Sequence, residues 1–278
     1  MTLKVMTFGS CFAAFVANCL WRLSGMQRCC SVQHTRIDQF NAGKPILRRE
    51  TTFVPKAPFD AVLANQFDDE AFGKSLPYGL PPNTLLHPNT AIDAGVDVLI
   101  IDNFADVLFR ISRNPATGQM LYAHSEHMQV SDPNFSEPLT FIDPVAAISG
   151  YVALHNRIRE RNPAAVSIFL NFPMNLKGKP KISARSEQFE SASLSLWRTP
   201  GFGVIDLTTL ELRDLNKPND SNHFSKRRYL QYAYQVSGLI QMLRCDTRSL
   251  PTRSPPLFGE MLSGKPALSI WPDQRKSA

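Results

Sequence analysis

Val96–Ile101 reads Val-Asp-Val-Leu-Ile-Ile, a Leu and β-branched run that marks a strand covered on both faces. A chain with such a strand must supply helices to cover it. Leu3–Phe8 has the length and composition of a second buried strand, and Phe12–Leu23 has the length and apolar content of a helix. Gly9 between them permits a tight strand-to-helix turn. The same rhythm continues: Cys30–Ile37 alternates apolar and polar residues as a strand would, and Ala165–Asn171 and Gly203–Leu207 read as further strands. Helices are predicted over Pro144–Arg161, Ser183–Trp197 and Ser225–Leu243. Strands alternating with helices predict an α/β fold, three-layer αβα, with a mostly parallel sheet flanked by helices.

Two stretches depart from this rhythm. Residues 46–89 are irregular and proline-rich, with only Phe59–Phe72 looking helical, and are read as an insertion. Val107–Ile111 and Met120–Tyr122 flank Asn114-Pro115-Ala116-Thr117-Gly118 and predict a hairpin excursion over about residues 105–140. The α/β domain is expected over residues 1–245. Residues 246–278, richer in Pro, Ser and Arg, are expected to form a C-terminal appendage.

Composition narrows the function. Of 278 residues, 43% are hydrophobic and 19% charged, the balance of a globular domain. The net charge of +6 is scattered apart from Lys226-Arg227-Arg228 and the tail, so no nucleic-acid partner is expected. Five cysteines without a Cys-x-x-Cys argue against a disulfide framework or zinc site and fit a reducing compartment. Val5–Trp21 imitates the apolar core of a signal peptide, but it contains Gly9, Ser10 and Asn18, and its removal would delete the first strand. No other stretch approaches the roughly 20 apolar residues that span a bilayer. A cytoplasmic protein without stable membrane insertion is expected, and no signature sets an oligomeric state.

In such sheets ligands bind beyond the carboxyl ends of the strands. Three groups of residues fall there. Ser10 and Cys11 follow the first strand at the start of a helix, where unpaired N–H groups lower a thiol pKa and stabilise an oxyanion. Alternatively, Cys11 is a small core residue and Ser10 an N-cap. Asn103 follows the third strand. Asp220-Ser221-Asn222-His223 precedes the last helix, a spacing that lets the carboxylate bind one ring nitrogen and leaves the other to take a proton. Two weaker patterns compete. His124-Ser125-Glu126-His127 near Asp132 offers metal-binding side chains without the zinc-helix spacing, so no metal is assigned. Asp102 and Asp106 offer paired carboxylates of the kind glycoside chemistry uses.

Gly9-Ser10-Cys11-Phe12-Ala13, Asn103 and Asp220-x-x-His223, in that order and at those strand ends, resemble the SGNH (GDSL-like) hydrolase superfamily. The likeness is greatest to its GSCFA branch and to polysaccharide acetyltransferase-like proteins. It implies a five-stranded parallel sheet in the order 2-1-3-4-5. The family register lays Cys11 on the nucleophile position, with Ser10 as the alternative if the turn is one residue tighter. It implies His223 and Asp220 as base and orienting acid, and an oxyanion hole formed by the nucleophile's N–H, Asn103 and Gly43. Where the family has Gly-x-Asn-Asp, this chain has Ile101-Asp102-Asn103-Phe104, so only the Asn carries over. The implied activity is acyl transfer at an ester or thioester bond, as an esterase or O-acyltransferase on a carbohydrate or other acyl-ester substrate. No cofactor is required, and an acyl-CoA could serve as donor. The alternative is a catalytically decayed member of the fold that binds a glycan or a partner.

Overall fold

Lys4–Gly9 (β1) is buried from Val5 onward because it lies inside a sheet whose other core strands are Gln27–Gln33 (β2), Val98–Asp102 (β3), Val166–Leu170 (β4) and Phe202–Ile205 (β5). The order is 2-1-3-4-5 and every pairing is parallel. This is the α/β sheet implied by the alternating pattern. The computed structural model describes residues 2–33, 35–42, 53–55, 86–113, 120–123, 128–130, 140–218 and 220–245. The expected helix at Phe59–Phe72, most of the insertion, and the appendage 246–278 lie outside them.

The helices among the described residues are Cys11–Ser24 (α1), Ile37–Asn41 (α2), Pro88–Asp93 (α3), Phe104–Leu108 (α4), Pro144–Arg161 (α5), Pro180–Ser193 (α6) and Lys226–Cys245 (α7). Successive residues of β4 show the two covers. Phe169 meets Tyr151 of α5, ring centroids 5.3 Å apart. Ile168 lies beside Gly203, where Leu243 of α7 comes within 3.2 Å of the place a Cβ would take. A Cβ at Gly203 would require the Leu243 side chain to give by a few tenths of an ångström. The apolar side chains of the five strands are almost fully buried apart from the half-buried Cys29, which accounts for their legibility as runs.

Element boundaries differ from the sequence expectation where polar residues are buried. β2 begins at Gln27 rather than Cys30, because Arg28 is 4% exposed and donates from its guanidinium to the Ala14 carbonyl of α1. It stops at Gln33, and Ile37 opens α2 instead of ending a strand, its N–H donating to Asp106 Oδ1. The stretch predicted to start a hairpin at Val107 is instead α4. Phe104, Val107 and Leu108 share a helical face, and Asp102 Oδ1 accepts the Phe104 N–H. The hairpin strand is Arg110–Arg113, antiparallel to Met120–Ala123 and to Thr140–Phe141. Phe53–Pro55 pairs antiparallel with Met128–Val130. α6 starts at Pro180, in the first turn, so Ser183 is an interior residue and not a cap. β5 ends at Ile205, and the Leu207 N–H is taken by the Glu190 carboxylate instead of a strand.

Candidate active site

The carboxyl end of β1 turns into α1 at Gly9, whose φ of 133° suits glycine alone. The turn also has no room for a Cβ, which would meet the Asp102 backbone oxygen and lie 2.6 Å from its Cγ. Ser10 is the N-cap, its hydroxyl accepting the Phe12 N–H at 3.1 Å. The same hydroxyl donates to Asp102 Oδ2 at 2.9 Å, and the Ser10 and Ala13 N–H groups reach that oxygen at 2.8 and 3.0 Å. One fully buried carboxylate thus binds the turn on either side of Cys11. Burial pushes the Asp102 carboxyl up to about 6, against the pull of the bonds from Ala13, Phe104 and Ser10.

Cys11 is the first residue of α1 and is 4% exposed. Asn103, next to the clamping carboxylate, is fully buried. Its Oδ1 accepts the Phe172 N–H at 2.8 Å, while its Nδ2 has no hydrogen-bond partner among the described residues. A buried donor left unmatched costs about 1–3 kcal/mol, so the position favours an incoming acceptor.

Asp220 and His223 lie on a loop closed at its base by an antiparallel bridge between Leu215 and Phe224, with Asn216 N–H donating to the His223 carbonyl. His223 Nδ1 donates to Asp220 Oδ2 at 2.7 Å, and Asp220 Oδ1 accepts the Asn222 N–H at 3.1 Å. A carboxylate only accepts, so Nδ1 carries the proton and Nε2 is the basic nitrogen of the neutral ring. Both side chains are about one-third exposed, 31% for Asp220 and 34% for His223.

Aromatic packing brings the two halves together. Phe12, which follows Cys11, meets Phe224, which follows His223, with ring centroids 5.3 Å apart and the rings edge to face. Phe15, one helical turn beyond Cys11 on the same face, stands edge-on to the His223 ring at 6.5 Å. Phe172, Tyr229 and Tyr232 complete the cluster around Phe12. The segments carrying Cys11, Asn103, Asp220 and His223 therefore meet at one end of the sheet. Gly43 and His124-Ser125-Glu126-His127 lie outside the described residues. The Asp102 and Asp106 carboxylates are both fully buried and each of their oxygens accepts from a protein donor, those of Asp106 from Tyr151 Oη at 2.5 Å and Ile37 N–H at 3.0 Å. Neither is presented to a substrate. The sequence alone did not reveal the Asp102 clamp or the Phe12–Phe224 contact, since each joins residues far apart in the chain.

No family model matches the chain, and no curated protein matches it. Among solved structures, the fold is similar to a family two carbohydrate esterase from Clostridium thermocellum in complex with cellohexaose, with a TM-score of 0.45 and 10% identity, covering 86% of this chain and 64% of that one. A carbohydrate esterase family 2 enzyme with a carbohydrate binding domain from Corynascus thermopiles (Myceliophthora fergusii) gives a TM-score of 0.47 at 12% identity, over 87% of this chain and 67% of that one. A possible lipase from Chitinophaga pinensis gives 0.41 at 11% identity, over 87% of this chain and 98% of that one. The chain thus spans just under two thirds of the length of the first of these, 64%. At such identities the chemistry has to come from this chain's own residues.

Proposed function

We propose that the protein is an acyl-transfer enzyme acting on ester or thioester bonds, with Cys11 as nucleophile, His223 as base and Asp220 orienting it. The observation that carries this reading is the 2.7 Å Asp220–His223 pair on a loop packed against the segment that bears Cys11. His223 Nε2 takes the thiol proton as Cys11 Sγ forms a bond to the acyl carbon, and Asn103 Nδ2 with the nucleophile's own N–H holds the oxyanion. Collapse breaks the bond to the leaving alkoxide or thiolate, which receives the proton from His223. The acyl group is then a thioester on Cys11. Water or a sugar hydroxyl, deprotonated by His223, attacks it and releases the acid or the new ester together with the thiol.

The choice of Cys11 over Ser10 has a geometric basis. The Ser10 hydroxyl is already spent, donating to Asp102 and accepting from Phe12, so it would have to break the cap to attack. The resemblance to polysaccharide acetyltransferase-like proteins supports a carbohydrate as substrate, and a CoA thioester suits a thiol nucleophile as donor. Turnover of p-nitrophenyl acetate and of an acetyl thioester by Cys11→Ala and Ser10→Ala tests the assignment. Cys11→Ala is expected to lose activity and Ser10→Ala to keep most of it; full activity in Cys11→Ala overturns it.

A further inference from the structure

Beyond the nucleophile and base, a cavity of about 110 Å³ opens at the carboxyl ends of β4 and β5. One wall is Met174 and Asn175, in the loop after β4. The second is Leu207 and Thr208, after β5, and the third is the face of α6 bearing Ser183 and Glu187. The walls are preformed. Asn175 donates to the Leu210 carbonyl at 2.7 Å and accepts the Leu210 N–H at 3.1 Å, and Glu190 of α6 accepts the Leu207 N–H at 2.9 Å. These bonds tie both loops and the helix into one rim without using the Ser183 or Glu187 side chains. The cavity is also continuous in chain with both halves of the site. Phe172, whose N–H binds Asn103, lies two residues before Met174, and Leu210 leads into the loop of Asp220 and His223.

We propose that this cavity is a subsite for a neutral polyhydroxylated ring, a sugar unit of the acyl-bearing or acyl-accepting molecule; the assignment rests on the acyl-transfer reading above. Among the described residues, Glu187 is the one charged group in the lining. As a carboxylate it only accepts, so it selects ligands with hydroxyl donors and repels phosphates and uronates. The Ser183 hydroxyl both donates and accepts, and Met174 and Leu207 supply an apolar floor for a C–H face. Polar groups convergent over a small apolar base are the composition of an orienting pocket.

Glu187 and Ser183 lie outside the core, so Glu187→Ala and Ser183→Ala are expected to fold. With acetylated cello-oligosaccharide as substrate, both are expected to raise KM about tenfold, the loss of one hydrogen bond to a charged or polar group, with kcat within twofold. Hydrolysis of p-nitrophenyl acetate, which has no sugar, should be unchanged. An unchanged KM in both variants, or an equal loss on both substrates, overturns the subsite. If the wild type turns over neither substrate, the acyl-transfer reading fails separately, and titration with cellobiose decides the cavity. Binding weakened by Glu187→Ala supports it; absent binding, or binding indifferent to the variant, overturns it.

Discussion

Asp102 and Asp220 both end at the site, but one is sealed beneath the nucleophile turn and the other stands one-third exposed on a surface loop. Asp102 accepts from Ser10, Ala13 and Phe104 and leaves almost no freedom to the Gly9–Cys11 turn. Asp220 holds His223 through one side-chain bond, on a loop anchored mainly by its base and by the ring of Phe224. In the first region stability and geometry are inseparable, since removing the carboxylate leaves buried donors unmatched. In the second they are separable, since the side chains that orient the proton acceptor bury little.

This contrast makes opposite predictions for the two aspartates. Asp220→Asn is expected to lower kcat by about 10²–10⁴, the range for losing the orienting carboxylate of a triad, while shifting unfolding free energy by less than about 1 kcal/mol. Denaturant melts beside turnover numbers measure both, and a large loss of stability would show that the loop is structural. Asp102→Ala is expected to cost about 3 kcal/mol or more, because several buried donors lose their acceptor together. A melt close to the wild type would break the clamp.

Titration sharpens the difference. The Asp102 carboxyl sits near 6 in the fold and near 3.8 as a free side chain, so between those values the folded state holds more protons than the unfolded state. Its contribution to stability is complete below about 4 and is lost as pH rises through about 6. The stability difference between the wild type and Asp102→Asn should therefore narrow over that window, by at most about 1.4 kcal/mol per pH unit. A widening difference would contradict the burial of the charge.

Smaller still is Ser10→Ala, which removes a cap and a bond to Asp102 and should cost about 1–2 kcal/mol with kcat kept within about twofold. A loss of activity as deep as that of Cys11→Ala would move the nucleophile to Ser10.

The difference between the two regions also explains what could be read from the sequence. The strands were legible because burial on both faces writes them as apolar runs, and Asp220 with His223 because three residues of separation make a local pattern. β2 starts earlier than its apolar pattern suggests because its first residues include Arg28, a polar side chain hidden under α1. α4 passed for a strand because five residues with Val107 and Leu108 carry too little periodicity to separate the two. The partnership of Asp102 with Ser10 spans 92 positions. A lone Asp before Asn103 carries no sign of it, and the walls of the cavity under α6 are equally scattered.

The account depends most on a covalent thioester at Cys11 formed with the help of His223. Brief reaction with p-nitrophenyl acetate, acid quench and peptide mass spectrometry should find one acetyl group on the peptide containing Cys11 in the wild type, and far less of it in His223→Ala. Acetyl on Cys11 at equal rates in both proteins, or acetyl on Ser10 instead, would contradict it.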